Sequence, residues 1–213
     1  MVDPLIAELQ RHAADPSITT DVSAQFPLPA LPPLDDASLH RAEAALGFQL
    51  PALLRDVYRL VGNGGIGPGY GLVPLVYAES TVRPEIYRDS VVESYLMLRS
   101  GTPEDLAGAW PERLLPFCEW GCAISSCVDC STAEGAISTF DPNGLGEGDS
   151  ILDGFALTHA SLRTWFEGWI AGARLWDVMF EPDLEHPLSL TNQYTGETYT
   201  HFGPKLRRAP HDG

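Results

Sequence analysis

The chain has 213 residues, 44% of them hydrophobic, and its 13 basic against 29 acidic side chains give a formal net charge of −16. That length buries one sizeable core without splitting into two domains, and that charge repels nucleic acid and anionic lipid, so neither is expected as a partner. No stretch has the apolar length of a bilayer span, and Met1-Val2-Asp3-Pro4 lacks the basic start and apolar run of a secretory signal, which makes the cytoplasm the expected compartment.

Asp3 suits the cap of a first helix with Pro4 at its first position and Leu5, Ile6, Leu9 and Ala13 on one face. The helix ends near Asp15-Pro16. Pro16, Pro27, Pro29, Pro32 and Pro33 then mark an extended connection up to Leu34. Asp35 or Asp36 starts a second helix, whose stripe of Leu39, Ala42 and Leu46 closes at Gly47. Pro51 fits the first position of a third, in which Leu53, Leu54, Val57, Tyr58, Leu60 and Val61 recur at helical steps until Gly62 ends it. Residues 62–67 spell G-x-G-x-x-G, but the order is helix, loop, then the extended Leu72-Val73-Pro74-Leu75. A pyrophosphate cradle needs a strand before the glycines and a helix after them, so a structural turn is expected.

Residues 84–99 read as another helix, best supported at Val91, Val92, Tyr95, Leu96 and Leu98. Short β-compatible runs at 114–118 and 122–128 predict a hairpin joined around Trp120-Gly121. Residues 136–140 and 151–157 follow as strands, with a turn at Asp141-Pro142-Asn143-Gly144 between them. Ser161 caps a helix to Ala171, whose stripe of Leu162, Trp165, Phe166, Trp169 and Ile170 belongs to the core. Weak alternation around residues 194–199 adds a terminal hairpin before Lys205-Leu206-Arg207-Arg208. The organisation expected is a helix with a proline-rich connection over 1–35, an α+β domain with a mostly antiparallel central sheet over 36–180, and an extension over 181–213.

Cys118, Cys122, Cys127 and Cys130 crowd into one presumed hairpin, and four thiolates would close a zinc tetrahedron. Zinc ribbons join two C-x-x-C knuckles across a longer interval, and only Cys127 and Cys130 have that spacing here, so buried free thiols are expected. Residues 141–152 begin like a calcium loop but put Leu145 and Leu152 where oxygen ligands belong. No H-E-x-x-H, phosphate-loop or G-x-S-x-G motif occurs, and the six histidines stand apart from any Ser or Cys nucleophile in sequence. The expectation is a protein that is not an enzyme and carries no cofactor. Between Arg113 and Arg163 there is no Lys or Arg, whereas Glu119, Asp129, Glu134, Asp141, Glu147, Asp149 and Asp153 all fall there. They form a candidate acidic docking patch for a basic protein partner.

Ala42-Glu43-Ala44-Ala45-Leu46-Gly47-Phe48 with Leu50-Pro51, then Asn63-Gly64-Gly65, Leu72-Val73-Pro74-Leu75, Leu115-Pro116-Phe117-Cys118-Glu119-Trp120-Gly121-Cys122 with Asp129, and Ser161-Leu162-x-x-Trp165 together resemble the SUKH superfamily over about residues 36–173. This superfamily holds the Smi/Knr-type yeast regulators of cell-wall assembly and many bacterial immunity proteins. The resemblance implies an α+β domain that acts by binding another protein, in bacteria by neutralising a cognate polymorphic or contact-dependent toxin, in the yeast branch as a regulator or scaffold. Leu50, Pro51, Asn63, Gly64, Gly65, Trp120, Gly121 and Asp129 are implied to determine the fold and not a toxin site. Abundant Arg over Lys and frequent Ala lean towards a bacterial source.

Overall fold

Alternating short apolar strands with polar turns build a meander. β1 (Leu114–Gly121), β2 (Ile124–Asp129), β3 (Ile137–Phe140) and β4 (Phe155–His159) pair antiparallel in that order. The computed structural model describes residues 3–15, 30–77, 89–101, 110–147, 150–173, 175–176, 188–191 and 198–201. Among them are five helices: α1 (Pro4–Ala14), α2 (Asp36–Leu46), α3 (Ala52–Asp56), α4 (Val91–Ser100) and α5 (Leu162–Ile170). A separate hairpin joins β5 (Leu188–Thr191) to β6 (Thr198–His201). The fold is α+β, as the sequence predicts. The connection at 16–29 and the basic run at 205–208 lie outside the described residues.

Helix starts obey their caps. Asp3, Asp35 and Ser161 each accept a backbone N–H of the first turn, and Gly47 closes α2 in the left-handed conformation. Two features were not legible. Ser90 and Glu93 form a capping box that starts α4 at Val91, so the described helix begins later than the predicted residue 84, and 78–88 lie outside the description. Pro51 precedes α3 as its N-cap, and the helix widens after Asp56 into a π turn over Val57–Val61. The wider turn breaks the 3.6-residue register. Val57, Tyr58 and Val61 are buried while Leu60, predicted in the same stripe, is 36% exposed.

The hairpin turn also differs from expectation. Strand β1 continues through Trp120 and Gly121, and the reversal falls on Cys122 and Ala123, both with positive φ (51° and 63°). Two such residues make the tight turn whose twist matches that of the flanking strands, although neither is the Gly or Asn that usually takes it. The predicted strand at 151–157 is a 3-10 turn over Ile151–Gly154, started by Ser150 and Asp153 as a capping box, so β4 begins only at Phe155. The turn at Pro142–Gly144 is likewise 3-10.

Trp165 of α5, fully buried, packs on Phe117 at a bulge in β1 with ring centroids 5.1 Å apart. Trp110 packs edge-on against Phe140 and Phe155 of β3 and β4. Helix α1 lays Leu5, Ile6, Leu9 and His12 into the same core, with the His12 ring 5.1 Å from Trp169 and the Gln10 amide donating to the Leu60 carbonyl. Arg163 at the start of α5 pairs with Asp3 and Glu167.

Candidate protein-binding surface

The loop after the π turn is built to lie along β1. The Asn63 carboxamide donates to the Val76 carbonyl and accepts the Leu75 amide, both at 2.8 Å, and the Tyr58 hydroxyl donates to the Val73 carbonyl. Gly64, at φ 94°, has no room for a side chain, since a Cβ there would stand 2.7 Å from the Leu72 carbonyl oxygen. Held this way, Tyr70–Val73 runs beside β1: Tyr70 donates to the Glu119 carbonyl, Val73 to the Phe117 carbonyl, and Leu72 bridges Cys118. The glycines of the G-x-G-x-x-G run are therefore structural, following a helix and leading into a strap.

Other motif residues serve packing. The Leu50 amide donates to buried Glu43, Pro51 lies against Gly135, and the Trp120 indole N–H donates to Ser126 at 2.9 Å. The Tyr70 ring lies against Gly121, where a Cβ would be 2.7 Å away.

The sheet register divides the predicted acidic residues between two ends. Glu119 pairs across the ladder with Ser125, then Phe140, then Phe155, and this row marks the end carrying Asp141 and Asp153. The Asp141 amide donates to the Gly154 carbonyl, and Asn143 ties this loop to the Cys122 carbonyl. Asp129 pairs with Leu114 at the far end, where the Glu134 carbonyl accepts the Leu162 amide. The seven predicted residues thus do not gather at one end of the sheet, because a four-stranded meander returns successive turns to opposite ends. Glu134, Glu147 and Asp153 are exposed, Asp129 and Asp141 half-buried, and Asp149 lies outside the described residues. Glu119 is half-buried and accepts the Ser125 hydroxyl; burial raises its carboxyl above the usual range.

The cysteines do not converge. Cys122 sits in the turn before β2 and Cys130 just after it, at opposite ends of a six-residue strand about 17 Å long at 3.3 Å per step. Cys118, Cys127 and Cys130 are buried, and burial pushes the Cys127 and Cys130 thiols far up. Among the described residues no group of three or more His, Cys, Asp or Glu is placed to hold a metal ion, and no helix is long and apolar enough to cross a membrane. An open groove of about 450 Å³ between α1 and α5 is lined by Asp3, Leu5, Glu8, Arg163, Glu167 and Ile170, its one cation already paired.

The sequence model of the SMI1/KNR4 family (SUKH-1) matches residues 33–168, from just before α2 into α5. The chain belongs to this family. No curated protein sequence matches it significantly. The SUKH match takes in the strap, the complete β1–β4 sheet and most of α5, and leaves outside it α1, which nonetheless packs on the domain core. One feature that sequence reasoning passed over is the outer edge of β4. Its signal was the uncharged run Phe155-Ala156-Leu157-Thr158-His159, ending in a buried histidine whose pKa burial lowers to about 4, so that it is neutral at pH 7.

Proposed function

We propose that this SUKH domain is a non-catalytic, cytoplasmic binding protein, an immunity protein that neutralises a cognate polymorphic or contact-dependent toxin by docking a basic toxin domain. The observation that carries this reading is that all four strands of the main sheet lie between Arg113 and Arg163, an interval without a single Lys or Arg, in a chain of net charge −16. A partner of opposite field is attracted from a distance, and wrong partners of like sign are repelled. Affinity then comes from close contacts that exclude water. The test is co-expression with the product of the neighbouring gene: rescue from its toxicity and a complex that weakens with salt are expected. No rescue and no complex at low salt would refute the reading.

The alternative is a regulator or scaffold of the cell-wall assembly type. What favours it is α1, outside the family match yet docked on α5 and the π turn, as an addition that could extend the contact surface. Recovery of several housekeeping proteins with the purified chain, and no single dominant partner, would support it.

A further inference from the structure

The two edges of the main sheet are finished differently. The outer edge of β1 is bonded by the strap Tyr70–Val73. At β4, the last strand in the order, hydrogen bonds go to β3 alone, and among the described residues nothing pairs with its outer side. Natural edge strands are usually blunted by Lys, Pro or an inward charge. Strand β4 has none of these: Phe155, Ala156, Leu157 and Thr158 are uncharged, His159 is buried and neutral, and Leu157 is 36% exposed. A register shift opposite Thr158 leaves Phe155–Leu157 as its regular part, so the free edge is short.

We propose that this edge accepts an extended basic segment of the partner as an added strand. The inference rests on the reading of a basic protein partner and names where and how that partner is held. Main-chain bonds to β4 would supply affinity independent of side chains, and alternate side chains of the segment would meet Leu157 and its neighbours. Charge selects the occupant. Exposed Asp153 precedes the strand, Asp141 is tied to Gly154 beside it, and exposed Glu134 stands at the other end through its bond to Leu162. Arg163, the nearest basic residue along the chain, is engaged by Asp3 and Glu167. A second copy of β4 would set acid beside acid in either strand direction, whereas a segment with Lys or Arg flanking a β-forming centre meets an opposite charge at both ends.

The experiment follows amide exchange in the full chain with a synthetic peptide of alternating Thr and Val carrying lysines at both ends, and with the same peptide ended in glutamates. The lysine-ended peptide slows exchange in β4 by about tenfold or more and leaves Tyr70–Val73 unchanged, and the glutamate-ended peptide does neither. Leu157→Lys abolishes the effect, and Leu157→Thr, which keeps a β-forming side chain, retains it. Unchanged β4 exchange at millimolar lysine-ended peptide overturns the proposal, as does equal slowing by both peptides. Protection of β4 that grows with protein concentration in the absence of peptide also overturns it, by assigning the edge to a second copy. The complex with the neighbouring gene's product separates the two claims. If that complex forms and Leu157→Lys binds as tightly as the natural chain, the edge inference falls alone; if no complex forms while the peptide still protects β4, the immunity reading falls alone.

Discussion

The strap beside β1 and the side of β4 that no described residue pairs with are opposite margins of one sheet. At the first margin the strap residues Leu72 and Val73 are buried, and a buried asparagine is committed to fixing the loop that delivers them. At the second, an exposed leucine lies on a strand without charge, and the nearest carboxylates stand at its ends. Satisfying backbone groups with the chain's own residues gives stability; leaving them to water stores a capacity to pair. Substitutions on the strap side should therefore cost stability, and substitutions on the bare side should change association alone.

The largest expected effect comes from Trp165→Ala, which removes the fully buried ring on Phe117 and should destabilise by roughly 3–5 kcal/mol in urea unfolding. A loss below about 1 kcal/mol would mean that β1 is not anchored by α5.

Next is a pH effect inside β4. His159 is buried with no hydrogen-bond partner at Nδ1 among the described residues, and its folded pKa is lowered to about 4 from an ordinary 6.5. The unfolded state takes up the proton first, so stability falls as pH drops from about 6.5 towards about 4, by at most roughly 3 kcal/mol. Glu119, with its pKa raised, acts in the opposite direction, so the measurement is the difference between the natural chain and His159→Gln across that window. Parallel pH profiles would contradict the assignment.

Asn63→Ala should cost about 1–3 kcal/mol by leaving the buried Leu75 amide without its acceptor, and should speed amide exchange in the strap. Asn63→Asp keeps that acceptor but sets a buried carboxylate against the Val76 carbonyl, so at neutral pH it should cost at least as much as the alanine. A loss below about 0.5 kcal/mol in Asn63→Ala would show that the acceptor is not what holds the strap.

The smallest effect on folding is expected from Leu157→Lys, within about 0.5 kcal/mol of the natural chain, because its side chain is already 36% exposed. A larger loss would show that the β4 side supports the fold in the same way as the strap side.

Much of this architecture was legible. Asp3-Pro4, Asp35 or Asp36, and Ser161 announced helix starts because a short polar side chain beside an apolar stripe has one economical use, capping orphan amides; between the two aspartates the structure chose Asp35. The stripe of Leu162, Trp165, Phe166, Trp169 and Ile170 was read as core; the first four are buried and Ile170 is half-buried against them. Boundaries set by competition were not legible. Nothing local distinguishes a π turn at Val57–Val61 from a continuing helix, and Ile151 is β-branched yet sits in a 3-10 turn because Ser150 and Asp153 cap it. The candidate site was read only in part. The interval lacking Lys and Arg was visible, but its grouping into one patch was not a property of sequence distance, since the meander sends Asp129 and Glu134 to one end and Asp141 and Asp153 to the other.

The sequence by itself determined the class of fold, the sign of the charge and the residues available for a core, because these follow from composition, periodicity and caps acting within a few residues; the family came from its motifs and the match over residues 33–168. Only the tertiary structure decided which strand edge is closed and which is left unpaired among the described residues. That outcome depends on Asn63 reaching across to Leu75 and Val76, and on the end of the strand order at β4, contacts between residues that local chemistry does not bring together.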